Sequence, residues 1–207
     1  MANTDRAAGF KPVRHMNGSP WNGETRQYLC DSGDNVAVYI GDPVKLAGAA
    51  GAAGQVVSGV NCEGMMTIAR DTSGTTGQTV VGVVVGFLPD PTALGNKYRV
   101  ASTSRIALVV SAIDTVFEVQ EDAVVTPIAA ASVGLLTAIA TTAGSSTTGI
   151  SAMVLDSSEV ATTSTLPVKI IGLVNRPDNA LSTGTTDKAK FEVVFNTGFY
   201  ATNSVGG

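Results

Sequence analysis

Charged side chains are scarce in this chain, and their scarcity narrows the partners that it can bind. Only 14% of its 207 residues are Asp, Glu, Lys or Arg, and the net charge is −4. Proteins that bind phosphates are normally basic, so we predict no direct nucleic-acid partner. A surface with few charges is common where proteins pack permanently together, because little charge has to be desolvated. A threonine-rich β surface explains the composition equally well.

Long apolar runs are also missing. The longest run, residues 80–88, is interrupted by glycines and is far shorter than the ~20 residues that cross a bilayer as a helix. The first six residues contain no apolar core of a signal peptide. The sequence therefore predicts neither a membrane partner nor secretion by that route.

The chain is poor in the side chains that most often perform catalysis or bind metals. It has one histidine, His15, and two cysteines, Cys30 and Cys62, which form no Cys-x-x-Cys pair. No serine lies in a Gly-x-Ser-x-Gly motif, and no glycine-rich stretch ends in the Lys-Ser/Thr of a phosphate-binding loop. We predict no catalytic residue, no cofactor and no metal, and therefore not an enzyme. His15 is interpreted as a surface or packing residue.

Two features leave alternatives open. Cys30 and Cys62 could form a disulfide, but without a secretion signal two free, mostly buried thiols are favoured. Residues 31–35, Asp-Ser-Gly-Asp-Asn, place oxygen ligands at a short spacing that could bind calcium. They lack the EF-hand pattern, so an ordinary turn is favoured.

Glycine and β-branched residues are what the chain has in abundance. We predict an all-β fold, mainly an antiparallel barrel or sandwich, with long loops and little helix. Residues 80–88 form the most apolar run, which ends at Pro89-Asp90-Pro91 because proline cannot donate to a sheet. Residues 168–174 repeat the pattern, and we interpret both runs as buried strands of one core. In the first run, Gly82 and Gly86 indicate bulges or a close approach between strands.

Shorter apolar alternations predict the remaining strands. They lie at residues 26–29, 44–46, 65–69, 105–110, 116–120, 153–155 and 191–195. Residues 47–54 are all Ala or Gly and are predicted to form a mobile loop, because they bury too little apolar surface to offset the entropy of ordering. Residues 128–140 fit either a helix or a short turn followed by a strand at 135–139.

Residues 1–23 lack a regular pattern yet carry apolar side chains. Two prolines and two Asn-Gly steps oppose regular structure, whereas Phe10 and Trp21 are residues that disordered tails rarely carry. We predict an extended N-terminal arm that docks either onto its own domain or onto a neighbour. Trp21, the only tryptophan, is either an interface anchor or a cap on its own core.

The predicted organisation is an arm at 1–23, a β core at 24–200 and a C-terminal tail at 201–207. The core could consist of two related β modules, about 24–125 and 126–200. This alternative rests on the two apolar strings described above, which lie about 90 residues apart, much farther than the repeats of a solenoid.

The segment Gly9-Phe10-Lys11-Pro12-Val13-Arg14-His15, followed by Asn17-Gly18-Ser19-Pro20 and Trp21, is distinctive. It resembles the start of the capsid cement or decoration proteins of tailed bacteriophages. Further matches to this family follow in order along nearly the whole chain, at residues 39–44, 82–87 with 89–90, 116–122 and 171–179. The loops at 47–64 and 181–190 are individual to this chain.

The resemblance implies a non-enzymatic, mostly β protein that binds the outside of an icosahedral head. Such a protein bridges neighbouring subunits of the major capsid protein and resists the pressure of the packaged DNA. The implied location is the virion, on the outer capsid surface, after synthesis in the host bacterial cytoplasm. The resemblance also implies a homo-oligomer, with a trimer favoured over a dimer.

Within this expectation, the N-terminal arm is the candidate contact with the capsid or with a neighbouring subunit. The candidate interface residues are Phe10, Arg14, His15 and Trp21. The alternative is another virion component, such as a tail protein or a receptor- or carbohydrate-binding protein, because a threonine-rich β surface with aromatic residues would suit that role.

Overall fold

The computed structural model describes residues 3–74, 79–124, 126–181, 184 and 188–200. In this part of the chain the only helical elements are two single-turn 3-10 helices, Ala130–Ser132 and Ser157–Glu159. The strands are β1 (Lys11–His15), β2 (Arg26–Cys30), β3 (Pro43–Ala50), β4 (Val56–Val57), β5 (Val60–Asn61), β6 (Met66–Arg70), β7 (Val80–Phe87), β8 (Arg105–Ser111), β9 (Thr115–Gln120), β10 (Leu136–Thr137), β11 (Ile139–Ala140), β12 (Val154–Leu155), β13 (Val168–Leu173) and β14 (Lys190–Phe195). The prediction of an all-β fold with little helix is confirmed. The tail predicted at 201–207 lies outside the described residues.

Most of these strands belong to one of two sheets. Five of them close into a barrel in the order β2–β6–β3–β7–β8, with β2 and β6 parallel and the other neighbours antiparallel. The second sheet is open and antiparallel, in the order β1–β9–β14–β13–β10. Strands β4–β5 and β11–β12 form two small pairs. The fold is therefore a closed barrel combined with an open sheet.

The two sheets do not divide the chain at residue 125, the predicted border between two modules. The barrel takes its strands from β2 to β8, whereas the open sheet combines β1 with strands that start at β9. Because β9 precedes residue 125, the predicted border is wrong for the sheets. The N-terminal and C-terminal parts of the chain meet in one sheet.

Strand β7 joins the two layers. Val81 and Val84 belong to an apolar cluster to which all five barrel strands contribute. Val80 and Val83 belong to a second cluster, which they share with residues of the open sheet. Both faces of β7 are buried in this way, so its sequence is a continuous apolar run and does not alternate with polar residues.

The glycines of β7 have the structural roles predicted for them. A Cβ atom on Gly82 would lie 1.9 Å from the carbonyl oxygen of Val110, so only glycine allows the two strands to approach this closely. The register with β8 shifts between Val84 and Gly86, which marks a bulge. β7 ends at Phe87, shortly before the first of the two prolines.

Strand β13 repeats the sequence pattern of β7 but not its burial. Val168 and Ile170 lie in the core shared with the barrel, whereas Lys169 and Ile171 are exposed. The prediction that both runs are buried strands of one core is therefore correct for one face of β13 and wrong for the other. It lies in the open sheet, where one of its faces reaches solvent.

The predicted mobile loop at 47–54 is wrong for its first half, because β3 continues to Ala50. The end of β3 pairs with β6 after a register shift between Leu46 and Ala50. The hydroxyl of Thr67 donates to the carbonyl oxygen of Ala49 at 2.8 Å. Backbone pairing thus orders a segment whose side chains contribute almost no apolar contact.

Residues 128–140 form a short turn followed by strands, which is the second of the two predicted alternatives. A 3-10 turn at Ala130–Ser132 is followed by β10 and β11. Gly134 has a φ of +92°, which suits a turn and not a helix. The helical alternative is wrong.

Candidate interaction surface around the N-terminal hairpin

The N-terminal segment contains a regular strand. β1 pairs antiparallel with β9, from Lys11 opposite Glu118 to His15 opposite Thr115. The prediction of an irregular arm is therefore wrong for residues 11–15, because the free edge of β9 provides hydrogen-bonding partners that are distant in sequence. After β1 the chain turns back, and the Trp21 amide donates to the carbonyl oxygen of Val13 at 3.2 Å. We call residues 10–25 the N-terminal hairpin.

Phe10 fixes this hairpin to the core of its own chain. Its side chain is 1% exposed, and its ring centroid lies 5.2 Å from that of Phe195 and 6.5 Å from that of Phe117. The alternative of docking onto its own domain is thus correct for this residue. The prediction of Phe10 as a surface contact is wrong, because it has almost no surface left for a partner.

Two glycines allow Phe10 to reach this position. Gly9 and Gly41 have φ values of +66° and +97°, which glycine adopts without strain. A Cβ atom on Gly9 would lie 2.4 Å from the carbonyl oxygen of Gly41. The Phe10 amide donates to that same oxygen at 2.9 Å. The close contact of these two glycines positions the start of the hairpin.

Arg14 and His15 both have partners within the chain. Arg14 donates to Glu192 on β14 at 2.6 Å, and about a third of its side chain is exposed. The Nδ1 atom of His15 lies 3.5 Å from a carboxylate oxygen of Asp114, in the turn between β8 and β9. Both side chains link the hairpin to the rest of the fold, and Arg14 in particular keeps an exposed edge.

Of the two alternatives predicted for Trp21, the cap on its own core is confirmed, whereas the role as an interface anchor stays a prediction. Its ring is half-buried and packs against the core shared by barrel and sheet. Its Nε1 atom donates to the carbonyl oxygen of Glu24 at 3.4 Å. The remaining exposed part of the ring lies between two hollows of the surface. Trp21 therefore caps its own core and still presents an aromatic edge to solvent.

The larger hollow beside Trp21 is apolar, and we call it the apolar groove. Its volume is about 340 Å³. It is lined by Ala8, Phe10, Lys11, Pro12, Trp21, Ile40, Gly41, Val84, Val85 and Ile150. Among the described residues that form this lining, Lys11 is the only charged one, and Ile150 is 41% exposed. Such a hollow can accept an apolar side chain with little cost of desolvating charge.

The smaller hollow on the other side of Trp21 is polar. Its volume is about 100 Å³, and its lining includes His15, Glu24, Arg26 and Asp114. An apolar centre with a charged margin is the usual arrangement of a protein interface. The two hollows and the aromatic edge between them form the candidate interaction surface.

Four segments that are distant in sequence line the apolar groove, at residues 8–21, 40–41, 84–85 and 150. The Gly41 amide donates to the carbonyl oxygen of Val84 at 2.7 Å, and the Val84 amide donates to that of Asp42 at 3.0 Å. Together with the bond from Phe10 to Gly41, these contacts connect the hairpin, the turn at residues 39–44 and strand β7.

The sequence did not predict that several of the few charged side chains bind backbone carbonyl oxygens inside the fold. Arg99 is fully buried, and its guanidinium donates to the carbonyl oxygens of Asp31, Asp34, Val36 and Thr103. Two backbone carbonyl oxygens of the segment that suggested calcium thus hold an arginine. The Asp34 amide donates to the Asp31 carbonyl oxygen at 3.2 Å, which confirms the prediction of an ordinary turn.

Two further arginines hold loops in the same way. Arg105 donates to the carbonyl oxygens of Leu88, Asn96 and Tyr98 at 3.1, 2.9 and 2.6 Å. Arg70 donates to the Thr142 carbonyl oxygen. No periodic pattern distinguishes an arginine that will bind backbone carbonyls, so these roles could not be predicted.

Arg70 also lies 3.3 Å from the buried carboxylate of Asp42, beside the apolar groove. Burial raises the pKa of the Asp42 carboxyl, while a hydrogen bond with Ser151 and the charge of Arg70 oppose the shift. The backbone amide of Tyr39 donates to the same carboxylate at 2.8 Å. Asp42 therefore holds the turn at residues 39–44, which forms one wall of the groove.

The cysteines are two free, buried thiols, as predicted. Burial raises the pKa of the Cys30 thiol to about 12, so this thiol stays protonated at neutral pH and is a poor nucleophile. Across the described ranges, no group of three or more His, Cys, Asp or Glu side chains is arranged to hold a metal ion. No helix in the part of the chain that the structure covers is both long and apolar enough to cross a membrane.

Comparison of the chain with protein-family models, with curated protein sequences and with solved structures gave no match.

Proposed function

We propose that this chain is a bacteriophage virion protein that decorates the head. In this role it is a capsid cement protein, which binds the outer surface of the head and stabilises contacts between subunits of the major capsid protein. It is made in the host bacterial cytoplasm. The proposal requires no catalytic residue, cofactor, metal, nucleic acid or membrane.

The observation that carries the proposal is the convergence of three resembling segments at the apolar groove. The hairpin, the turn at residues 39–44 and strand β7 are remote in sequence and are joined there by hydrogen bonds between backbone atoms. Three of the five segments that resemble the family contribute to the lining of this one groove. Their meeting beside Trp21 supports the idea that they are parts of one inherited contact site.

The surface suits permanent contact with another protein. Trp21 offers an aromatic edge, and aromatic anchors in well-packed pockets typically contribute about 2 kcal/mol or more to an interface. Where the structure describes the lining of the groove beside it, that lining contains one lysine and no acidic residue. A capsid subunit that inserts an apolar side chain there has little charge to desolvate. We assign Trp21 and Ile150 as the central contacts and Arg14 and His15 as positioning residues.

We also propose that the working form is a homo-oligomer, a trimer in preference to a dimer. Contacts repeated around a local symmetry axis of the head multiply the strength of a single weak contact, because the second and later contacts form within one complex. Sedimentation of the purified protein measures this state directly. A monomer at micromolar concentration would contradict this part of the proposal.

A second candidate is another virion component, such as a tail protein or a receptor- or carbohydrate-binding protein. The observation in its favour is a stacked pair of aromatic rings, Tyr39 and Tyr98, whose centroids lie 4.8 Å apart. Tyr98 is half-buried, so one aromatic surface remains partly open beside the turn of the groove. Flat aromatic surfaces of this kind can stack on sugar rings.

Electron microscopy of the intact particle separates the two candidates. A cement protein appears as density outside the head lattice, in a number comparable to that of the capsid subunits. A tail or receptor-binding protein appears in a few copies at one vertex. Density restricted to the tail would overturn the cement proposal and favour the second candidate.

A further inference from the structure

The dipeptide Asn-Gly occurs twice in the chain, at residues 17–18 and 22–23, and both copies lie in the N-terminal hairpin. In such a step the glycine amide nitrogen can attack the side-chain amide of the asparagine, because glycine has no Cβ atom to hinder the approach. We infer that Asn22 is a site of spontaneous deamidation, and that the folded hairpin protects Asn17 from the same reaction. This inference does not depend on the proposed function.

The reaction needs only water. The Gly23 nitrogen forms a bond to Cγ of Asn22 and loses its proton, while the bond from Cγ to Nδ2 breaks and ammonia leaves. The product is a five-membered succinimide ring. Water then opens the ring at one of its two carbonyl carbons, which gives either aspartate or isoaspartate. The net change replaces a neutral amide by a carboxylate and releases ammonium.

The surroundings of Asn22 permit this reaction. Asn22, Gly23 and Glu24 are all exposed. One hydrogen bond restrains the asparagine side chain, from the Glu24 amide to Oδ1, and it is long at 3.2 Å. The Gly23 amide donates to no atom of the described residues. The nucleophile is therefore free, and its target is only weakly held.

The surroundings of Asn17 are different although it is equally exposed. The Gly18 amide donates to the carbonyl oxygen of His15 at 3.0 Å, so its nitrogen is already engaged. Oδ1 of Asn17 accepts from both the amide and the hydroxyl of Ser19, at 2.9 and 2.7 Å. At Asn17 the nucleophilic nitrogen is engaged and two hydrogen bonds hold the side chain, whereas at Asn22 one hydrogen bond holds the side chain.

Deamidation of Asn22 would alter the candidate interaction surface. The residue follows Trp21 directly and precedes Glu24, which lines the polar hollow together with Asp114. A new carboxylate there adds negative charge to a margin that already contains two acidic residues. Arg26 is the one residue of that lining with a permanent positive charge. Protein deamidated at Asn22 would have a more acidic polar hollow beside an unchanged apolar groove.

Peptide mapping by mass spectrometry tests the inference. The purified full-length chain is incubated in mildly alkaline buffer, and the mass gain at each asparagine and the isoaspartate content are followed over time. We expect Asn22 to react at least about fivefold faster than Asn17, since opening one ordinary hydrogen bond slows a reaction by roughly that factor. Equal rates, or a faster reaction at Asn17, would overturn the inference.

Two controls identify the cause of the difference. In concentrated urea at the same pH, the two rates should agree within about twofold, because the hydrogen bonds that hold Asn17 are lost. Ser19→Ala removes the hydroxyl bond to Asn17 and should accelerate deamidation there, while Asn22→Gln should abolish it at residue 22 alone. A difference that persists in urea would show that the local sequence, and not the fold, sets the rates.

Discussion

Glu118 and Glu192 lie directly opposite each other on the antiparallel strands β9 and β14. Two carboxylates in this position repel each other. Each has its own cation, because Arg14 donates to Glu192 at 2.6 Å and Arg176 donates to Glu118 at 2.9 Å. Lys190 lies 3.9 Å from Glu118 as a third cation. Arg14 belongs to β1, so the N-terminal hairpin supplies the cation that pairs with Glu192.

The pair Arg14–Glu192 should therefore be coupled energetically. We expect Arg14→Gln to destabilise the fold by about 1 kcal/mol, because Glu192 then faces Glu118 without a partner. Glu192→Gln should destabilise the fold less, since it removes both the attraction to Arg14 and the repulsion from Glu118. Urea unfolding of the two single variants and the double variant gives the coupling energy. A coupling indistinguishable from zero would mean that the ion pair does not stabilise the hairpin.

Phe10 is predicted to be the main anchor of the hairpin. Replacing it by alanine leaves a cavity beside Phe117 and Phe195 and should lower the free energy of unfolding by about 3–5 kcal/mol. Met16→Ala is the matched control, since Met16 lies in the same hairpin but is 59% exposed, and its cost should stay within about 0.5 kcal/mol. The account of the hairpin fails if the two variants unfold at the same urea concentration.

Replacing Arg99 with lysine should destabilise the fold. Lysine keeps the charge but lacks the planar fork that reaches four carbonyl oxygens at once. We expect Arg99→Lys to destabilise the fold by about 2–4 kcal/mol, because buried carbonyl groups lose their donors. Lys97→Gln, at a nearby exposed residue, is the control and should cost at most about 0.5 kcal/mol. Thermal unfolding of both variants measures the difference, and equal melting temperatures would contradict the prediction.

The buried thiol of Cys30 predicts a fall in stability at alkaline pH. Its pKa is about 12 in the fold, against an ordinary value of 9.0, so between these values the folded state keeps a proton that the unfolded state releases. Raising the pH through this window therefore favours unfolding, by up to about 1.4 kcal/mol for each pH unit.

Cys30→Ala removes this contribution while other titrating groups remain. We expect the free energy of unfolding of the variant to fall less steeply than that of the original chain from pH 9 upwards, as measured by urea unfolding at several pH values. Parallel curves for the two proteins would show that ionisation of Cys30 is not linked to unfolding.

Local patterns in the sequence predicted much of the fold. The run at residues 80–88 correctly predicted β7. That strand is buried on two faces, and such burial requires apolar residues at successive positions. The similar run at 168–174 marked a strand but not its exposure. The amino-acid sequence of β13 does not indicate that one of its faces is exposed to solvent.

Long-range pairing explains what the sequence could not predict. Residues 11–15 contain a proline and no clear alternation, and they become a strand only because β9 offers a free edge. Residues 47–50 are extended for the same reason, through pairing with β6. Phe10 was predicted as an interface contact but is buried, because a single apolar residue in an irregular segment cannot show whether it faces its own core or a partner.

Binding to heads that lack this protein tests the central claim most directly. Ile150→Asp places a charge in the apolar groove, where Ile150 is 41% exposed, and Leu94→Asp places the same charge at a residue that is 79% exposed and outside the groove lining. After unfolding measurements show that both variants fold, their binding to purified heads is compared by co-sedimentation.

We expect Ile150→Asp to weaken binding at least about tenfold, since burying an unpaired charge costs more than about 1.4 kcal/mol, while Leu94→Asp stays within about twofold of the original chain. Equal binding of both variants would exclude the groove as the capsid contact. If the original chain itself does not bind heads, the proposed function is wrong.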